Sequence, residues 1–482
     1  MSGFGGNSGG GGRYNNNNSN GGGRYNNNNS GGGGRYSNSS GGGRTSRGGG
    51  RGRGRGRSGG RGGYQGGDGG GGRHTEARLR PCKDFTQTGN CQRGNNCTFA
   101  HVVKMHAMID ASSPAQNSSG SSNYNNGYNN NNAPQMEAVS SVAIWENNGV
   151  IKIFTGSQDG FWRLWNTQGG TFVKEFEQSM GGAVECLVVQ SNFLFCGFQS
   201  ISPALPEVSV GMLHAWNLSN PADPPMEFHM HALIPYAHAK SVSQLLIVEG
   251  QKVLSGSKDG CIRLWTFDAA SGGGKGGFVL AQTLHGHARE VTGLAVAGSV
   301  LWSSSTDGAI RIWDLATGAC QHAITMATGT APGANPQQQP APSPTGGHTN
   351  AVTGLVSFTS PSGVFILSSS LDGDIKAWNG GTGQCVASES HGEGVVSMSI
   401  AADATGNQIL LIGLESGNIM IRNIIQTPKM PAFTLIMKLS AHYTAGHNGA
   451  VKALTQGPGG TFYSGGMDGK VLVCQFTGDL GL

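Results

Sequence analysis

Beyond residue 136, the apolar and polar positions follow one pattern that recurs along the chain. Each copy has a Val-rich segment, a second apolar segment that ends near Ser or Thr, an Asp-Gly turn, and a third segment that ends near Trp. Short apolar segments separated by tight Gly-containing turns are typical of β-strands. We count seven copies, so the pattern predicts an all-β domain of repeated units over residues 136–482.

The clearest copies place their polar residues at fixed intervals, with Ser or Thr four positions before Asp and Trp six positions after it. These sets are Thr155, Asp159 and Trp165; Ser255, Asp259 and Trp265; Ser303, Asp307 and Trp313; and Ser368, Asp372 and Trp378. The residues His238, His287 and His348 stand upstream of the last three Asp residues. Because a spacing that recurs in every copy indicates a structural role, we expect no catalytic residue among them and no enzyme activity.

These sets resemble the WD-repeat family, whose blades are held by hydrogen-bonded His, Ser or Thr, Asp and Trp side chains. The resemblance implies a seven-bladed β-propeller. Weaker copies complete the ring: Gly182 to Trp216, His391 to Arg422, and a last copy with His447, Ser464, Asp468 and Cys474. In the sixth copy, Leu411 and Glu415 are expected in the Ser and Asp places, so apolar packing must hold that blade.

Before the repeats, cysteine and histidine stand at metal-ligand spacing. The residues Cys82, Cys91, Cys97 and His101 form the sequence C-x8-C-x5-C-x3-H. Three thiolates and one imidazole are a closed donor set of the kind that structural Zn²⁺ takes, with no open position for a substrate. Because twenty residues cannot bury a core, we expect the metal to supply about 10–16 kcal/mol of folding free energy. The sequence therefore predicts one structural zinc.

The same segment resembles the CCCH zinc-finger family, in which bases of single-stranded RNA stack on rings two positions after the second and third cysteines. The resemblance also includes Phe85, Gly89, Gly94 and Phe99. It implies RNA contacts at Phe99, which keeps the ring, and at Arg93, whose guanidinium plane also stacks on bases. The basic residues Arg80 and Lys83 complete the candidate RNA site. In the alternative interpretation, the two Phe rings only shield the metal.

Composition separates the front of the chain from the rest. Of the 84 glycines, 33 lie in residues 1–73, which also hold eleven Arg and one acidic residue, Asp68. This segment carries a net charge of +10, and the remainder of the chain therefore carries −5 of the overall +5. We predict a disordered tail with RG and RGG motifs that binds polyanions, or alternatively a solubilising tail without a partner. The predicted parts are the tail 1–73, the finger 76–108, a Ser/Asn-rich linker 109–135 and the propeller 136–482.

Six cysteines outside the finger show no paired spacing, and no segment approaches 18 consecutive apolar residues. The sequence therefore does not indicate a disulfide framework, a secreted protein or a membrane protein. We expect an intracellular protein, with nucleus and cytoplasm both open.

The strand that closes the last blade is hard to find in the sequence. We hypothesise that the apolar run 102–109 pairs with blade seven across the linker, and the alternative is a short helical turn that caps the finger. Two long insertions, 200–210 and 328–345, are expected on one rim of the propeller, which makes that face a candidate partner surface.

The order of modules resembles the plant-type family of CCCH zinc-finger WD-repeat proteins. It implies a non-catalytic adaptor that binds single-stranded RNA and recruits protein partners, without a small-molecule substrate. The alternative is a protein-interaction scaffold with a purely structural finger. The ligand count argues against a RING domain, which binds two zinc ions, because only four ligands are present. DNA remains an alternative partner.

Overall fold

Each repeat folds as a four-stranded antiparallel sheet, and seven such sheets form the β-propeller that the sequence predicts. The computed structural model describes residues 80–111, 138–168, 171–202, 206–220, 223–231, 233–248, 252–271, 276–325, 346–426, 431–441 and 445–477. The predicted tail 1–73, most of the predicted linker and the insertion 328–345 lie outside these residues. All described residues belong to one compact unit.

The first elements along the chain are α1 (Lys83–Thr88), a 3-10 turn (Gly94–Asn96) and β1 (Val103–Asp110). Blade one contains β2 (Val139–Asn147), β3 (Val150–Ser157), β4 (Phe161–Gln168) and β5 (Thr171–Ser179). Blade two contains β6 (Val184–Gln190), β7 (Phe193–Ile201), β8 (Ser209–Asn217) and β9 (Met226–Glu227). Blade three contains β10 (Val242–Val248), β11 (Lys252–Ser257), β12 (Ile262–Asp268) and β13 (Gly277–Leu284).

Blade four contains β14 (Val291–Ala297), β15 (Val300–Ser305), β16 (Ile310–Asp314) and β17 (Cys320–Ile324). Blade five contains β18 (Val352–Ser360), β19 (Gly363–Ser370), β20 (Asp374–Asn379) and β21 (Cys385–Ser390). Blade six contains β22 (Val395–Ala402), β23 (Gln408–Leu414), β24 (Ile419–Gln426) and β25 (Pro431–Leu439). Blade seven contains β26 (Val451–Gln456), β27 (Thr461–Gly466) and β28 (Lys470–Phe476), with β1 as its fourth strand. No helix in these residues is long and apolar enough to cross a membrane.

Neighbouring blades are joined by a valine at the start of each innermost strand. The seven valines are fully buried: Val139, Val184, Val242, Val291, Val352, Val395 and Val451. In five of the seven joints, the valine packs on a glycine in the second strand of the preceding blade. At Gly256, for example, an added Cβ would lie 2.6 Å from Cγ1 of Val291. The joint Gly465 to Val139 repeats this contact between blades seven and one, so the ring closes with the same packing that joins its other blades.

The polar sets of blades three, four, five and seven lie in the core as hydrogen-bonded networks. In blade four, Trp313 Nε1 donates to Ser303 Oγ at 2.8 Å, and the Ser303 hydroxyl bonds His287 Nε2 at 2.8 Å. The His287 Nδ1–H donates to the Asp307 carboxylate at 3.2 Å. Blades three and five repeat these contacts with His238, Ser255, Asp259 and Trp265, and with His348, Ser368, Asp372 and Trp378. In blade seven, His447 bonds Ser464 and Asp468, while Cys474 stands in the Trp place.

Burial sets the protonation of these networks. It lowers the pKa of His287, so the ring stays neutral. It also raises the pKa of Asp307, but hydrogen bonds from His287 and from the backbone N–H groups of Ala288 and Ala309 together outweigh this effect and leave that pKa at about 2. A neutral histidine between a hydroxyl and a carboxylate satisfies every partner, which suits a buried structural network.

Blade six departs from the pattern, and its register corrects the sequence alignment. Val395 pairs with Leu414, as Val242 pairs with Ser257 in blade three. This register puts Ile412 and Ser416 in the Ser and Asp places, instead of the expected Leu411 and Glu415. Neither Ile nor Ser at these places matches the pattern, so the alignment had no marker for the register of this blade.

The histidine of blade six shows the consequence of that substitution. Because Ile412 has no hydroxyl, the buried Nε2 of His391 has no hydrogen-bond partner within the described part of the chain. Burial lowers the pKa of His391 to about 4. Buried Leu410, Leu411 and Ile412 hold the blade by apolar packing, as expected from the sequence.

The hypothesis that the run after the finger closes blade seven is confirmed. Strand β1 pairs antiparallel with β28, from Val103 opposite Phe476 to Asp110 opposite Lys470. Ala111 follows, and its N–H donates to the Gly469 carbonyl at 2.9 Å. The strand crosses the predicted boundary between finger and linker at residue 108, because Ile109 and Ala111 are buried against blades seven and one.

Replacing Ser303 with Ala will leave the indole of Trp313 and Nε2 of His287 without a partner in the core. We expect the free energy of unfolding to fall by about 1–3 kcal/mol. Urea denaturation measures this change, and Ser299→Ala, at an exposed position of the same blade, is the matched control. Equal stability of the two variants would show that the network does not stabilise the blade.

A charge at the buried end of β1 will open blade seven. Val103 is 1% exposed and Met108, on the same strand, is 55% exposed. We expect Val103→Asp to lower the free energy of unfolding by more than about 3 kcal/mol, because it buries an unpaired carboxylate. The exposed Met108→Asp should change it by no more than about 0.5 kcal/mol. Similar losses in both variants, measured by thermal unfolding, would contradict the observed orientation of β1.

Candidate metal centre and nucleic-acid interface

A short backbone ladder holds the two ends of the finger together. The N–H of Cys82 donates to the Ala100 carbonyl at 2.9 Å, and the N–H of Ala100 donates to the Arg80 carbonyl at 2.9 Å. Helix α1 begins directly after Cys82 and ends at Thr88. Gly89 follows it with a φ of 74°, the left-handed conformation that glycine adopts readily. The ladder therefore brings the first ligand, Cys82, next to the last, His101.

The four predicted ligands meet at one point. Their donor atoms all lie within 4.8 Å of one another, and the Sγ atoms of Cys82 and Cys97 are 3.8 Å apart. The Nε2 atom of His101 is buried and accepts no hydrogen bond from any residue in the described ranges. A buried imidazole nitrogen without a partner beside three thiols fits a metal ligand. Cys82, Cys91, Cys97 and His101 form the site of one structural zinc.

The thiols themselves favour a bound cation. Burial and, to a smaller extent, hydrogen bonding with the thiols of Cys91 and Cys97 raise the pKa of Cys82 to about 11. The backbone N–H of Arg93 lowers the pKa of Cys91. Because neighbouring thiolates repel one another, a divalent cation is needed to hold all three in the anionic form that binds metal.

The two phenylalanines of the finger have different surroundings. The ring of Phe85 stacks on the imidazole of His101, with centroids 4.6 Å apart and an interplanar angle of 14°. Phe85 therefore shields a ligand. The ring of Phe99 is 39% exposed, which leaves it accessible to a stacking partner.

All four predicted RNA contacts line one cleft of about 590 Å³. These residues are Arg80, Lys83, Arg93 and Phe99. The cleft also includes Lys438 and Ser440 from the outer edge of blade six, which sequence reasoning missed. No local signal marks these two, because their place beside the finger depends on how distant segments of the chain pack.

The finger is fixed to the propeller by packing and by hydrogen bonds. Ala100 and Val102 pack against a buried cluster of blades six and seven that includes Leu439 and Phe476. The Thr477 N–H donates to the Val102 carbonyl at 3.1 Å, and the Thr477 hydroxyl donates to the His101 carbonyl at 3.2 Å. These contacts with blades six and seven therefore fix the orientation of the finger.

Comparison with known families agrees with the two modules. The model of the C-x8-C-x5-C-x3-H zinc-finger family matches residues 78–103. The model of the WD domain, or G-beta repeat, matches residues 133–166, 232–266, 278–314 and 342–379. The unmatched intervals include blades two, six and seven, where the polar sets are incomplete or altered.

The chain is also similar to proteins named for the finger. Zinc finger CCCH domain-containing protein 17 of Oryza sativa subsp. japonica is 27% identical over 259 residues, which cover 54% of this chain and 49% of that protein. Zinc finger CCCH domain-containing protein 59 of Arabidopsis thaliana is 25% identical over 243 residues, covering 49% and 41%. The chain thus spans about half the length of these relatives or less. A computationally designed protein, Ika8, is 20% identical, with 71% of this chain and 97% of that chain covered and a TM-score of 0.46.

Removing one ligand will abolish zinc binding. We expect the purified chain to hold one zinc per molecule, and Cys97→Ser to hold almost none, because a three-donor site binds the metal far more weakly. Elemental analysis after gel filtration measures the ratio. Cys261→Ser, which changes a partly buried cysteine of the propeller, is the matched control and should keep the metal. Full zinc content in Cys97→Ser would contradict the assigned ligand set.

Proposed function

Because the chain is a CCCH zinc-finger protein with a seven-bladed WD-repeat propeller, we propose that it is a non-catalytic adaptor. Its finger binds single-stranded RNA and its propeller recruits protein partners. The proposal is supported by the closed zinc donor set, which leaves no position for a substrate, and by the buried structural use of the propeller's histidines and aspartates.

One observation carries the RNA part of the proposal, namely the exposed ring of Phe99 in a basic cleft. The ring is accessible on the surface of a metal-stabilised finger, and Arg93 lines the same cleft. An exposed ring offers a face to an unpaired base, and a nearby guanidinium offers a second plane and a phosphate contact. One exposed ring and one guanidinium can contact one or two unpaired bases, whereas reading the major groove of a duplex usually needs a helix or a β-ribbon.

A single finger binds RNA with modest affinity, so electrostatic attraction to the phosphates must add to the affinity. Stacking of one base on an aromatic side chain contributes about 1–3 kcal/mol. The Arg-rich segment 1–73, with its net charge of +10, would supply a sequence-independent contribution that weakens with salt. The finger then selects the site, and the basic segment raises the overall affinity.

A second function is favoured by the way the finger packs. Ala100 and Val102 lie against the core of blades six and seven, and β1 completes blade seven. A finger that packs on the propeller and precedes its closing strand has a structural role without any RNA. In this alternative, the chain is a protein-interaction scaffold, and its zinc holds the N-terminal strand in place without contacting RNA.

Binding of a pool of short single-stranded RNAs to the full chain separates the two functions. The full chain is needed because residues 103–110 require the propeller as their partner. We expect Phe99→Ala to weaken selective binding by about 5- to 150-fold, which corresponds to loss of one stacked base. Phe267→Ala is the matched control, since that ring is 42% exposed but lies on blade three.

Either outcome shows whether the finger binds RNA or has only a structural role. Selective binding that is lost in Phe99→Ala and kept in Phe267→Ala supports the RNA adaptor. Binding that is unselective, strongly dependent on salt and equal in both variants would assign it to the Arg-rich segment. The scaffold would then replace the adaptor as the proposed function.

A further inference from the structure

We propose that the propeller supplies part of the nucleic-acid site. Lys438 and Ser440, at the outer edge of blade six, contact the phosphate backbone of the strand whose bases stack on Phe99. This inference rests on the proposed RNA-binding function and extends it, because it makes the site a composite of the finger and the propeller. The finger alone is then an incomplete RNA site.

The side chains at the end of strand β25 alternate between the core and the cleft. Leu439 is fully buried and belongs to the cluster on which Ala100 of the finger packs. Its neighbours Lys438 and Ser440 are exposed and partly buried, respectively, and both line the cleft. Because Leu439 packs toward the finger's cluster, its neighbours Lys438 and Ser440 lie on the other face of the strand, beside the finger.

The charges of the cleft favour an anionic strand. Its lining includes the cations Arg80, Lys83, Arg93 and Lys438, against one acidic side chain, Asp84. Three of these cations come from the finger and one from the propeller. An anionic chain that lies between the two modules would meet positive charge on both sides. The adjacent aromatic face distinguishes a nucleic acid from a simple polyanion.

Lys438 is positioned and remains available to a ligand. Its Nζ pairs with Oε1 of Glu393 at 3.2 Å, and its side chain is 45% exposed. An ammonium group has three donors, so this pair leaves donors for a phosphate oxygen. Because exposed ion pairs contribute little free energy, a phosphate can share the ammonium without disrupting the fold.

The size of the cleft suits a short segment of single strand. The cleft of about 590 Å³ is also lined by the zinc ligands Cys82, Cys91 and Cys97, so a bound metal would take part of it. Sites for small organic ligands typically have about 300–1,000 Å³. Such a volume accommodates a base with its sugar and phosphate, but not a duplex. We therefore identify the occupant as one or two nucleotides of single-stranded RNA, held by stacking on the finger and by a phosphate contact on the propeller.

The test measures binding of the full chain to a random-sequence pool of short single-stranded RNAs at about 50 and 200 mM salt. We expect Lys438→Ala to weaken binding by about three- to tenfold and to reduce the slope of log K against log salt by about 0.7, the value for one phosphate contact on a single strand. Ultraviolet crosslinking of RNA that contains 4-thiouridine should label the peptide with Lys438 and Ser440.

Lys174→Ala is the matched control. Lys174 lies on β5, the outer strand of blade one, pairs with Glu177 at 2.8 Å and has a side chain that is 39% exposed. The variant therefore loses the same charge and the same type of ion pair at a position that does not line the cleft. We expect its affinity to stay within twofold of the unmodified chain, and thermal unfolding should show that both variants are folded.

The possible outcomes separate the two proposals. If Phe99→Ala weakens binding while Lys438→Ala behaves like Lys174→Ala, the finger binds RNA alone and the composite site is wrong. If the unmodified chain shows no selective RNA binding, both proposals fail. An acidic peptide that occupies the cleft while RNA does not would also overturn the inference. Loss in Phe99→Ala and Lys438→Ala, with crosslinks on both modules, supports it.

Discussion

The structure depends on one covalent constraint, which is that the last zinc ligand lies two residues before the strand that closes the propeller. His101 belongs to the metal site, and Val103 begins β1. Thr477, at the end of β28, donates to the carbonyls of His101 and Val102. A displacement of the His101 backbone therefore moves the start of the closing strand. The zinc centre and the closure of the ring are therefore one mechanical unit, and the cleft between finger and blade six follows from it.

Blades three, four and five have support from their own residues. Buried valines join each blade to the next, and complete networks of His, Ser, Asp and Trp tie blades three, four and five. Blade six has Ile412 and Ser416 in place of the polar pair. The finger packs on the cluster shared by blades six and seven. The finger thus packs on a blade that lacks the complete polar network.

Much of the fold and of the metal site could be predicted from the sequence because each relies on residues at fixed local spacing. The C-x8-C-x5-C-x3-H ligands and the recurring Ser, Asp and Trp positions are examples of such spacing. The closing strand could only be a hypothesis, since β1 and β28 are more than 350 residues apart. Blade six was misaligned by one residue because an apolar residue and Ser replace its markers. Lys438 had no signal, as its role depends on how two distant segments pack.

The central claim is that zinc binding and propeller closure are coupled, and calorimetric unfolding of the full chain tests it most directly. The chain would be unfolded with zinc bound and after removal of the metal by a chelator. We expect metal removal to lower the midpoint of the propeller's main transition, because the free energy of metal binding contributes to the folded state that includes β1. An unchanged midpoint for that transition, with only a small separate transition lost, would show that the finger and the propeller fold independently.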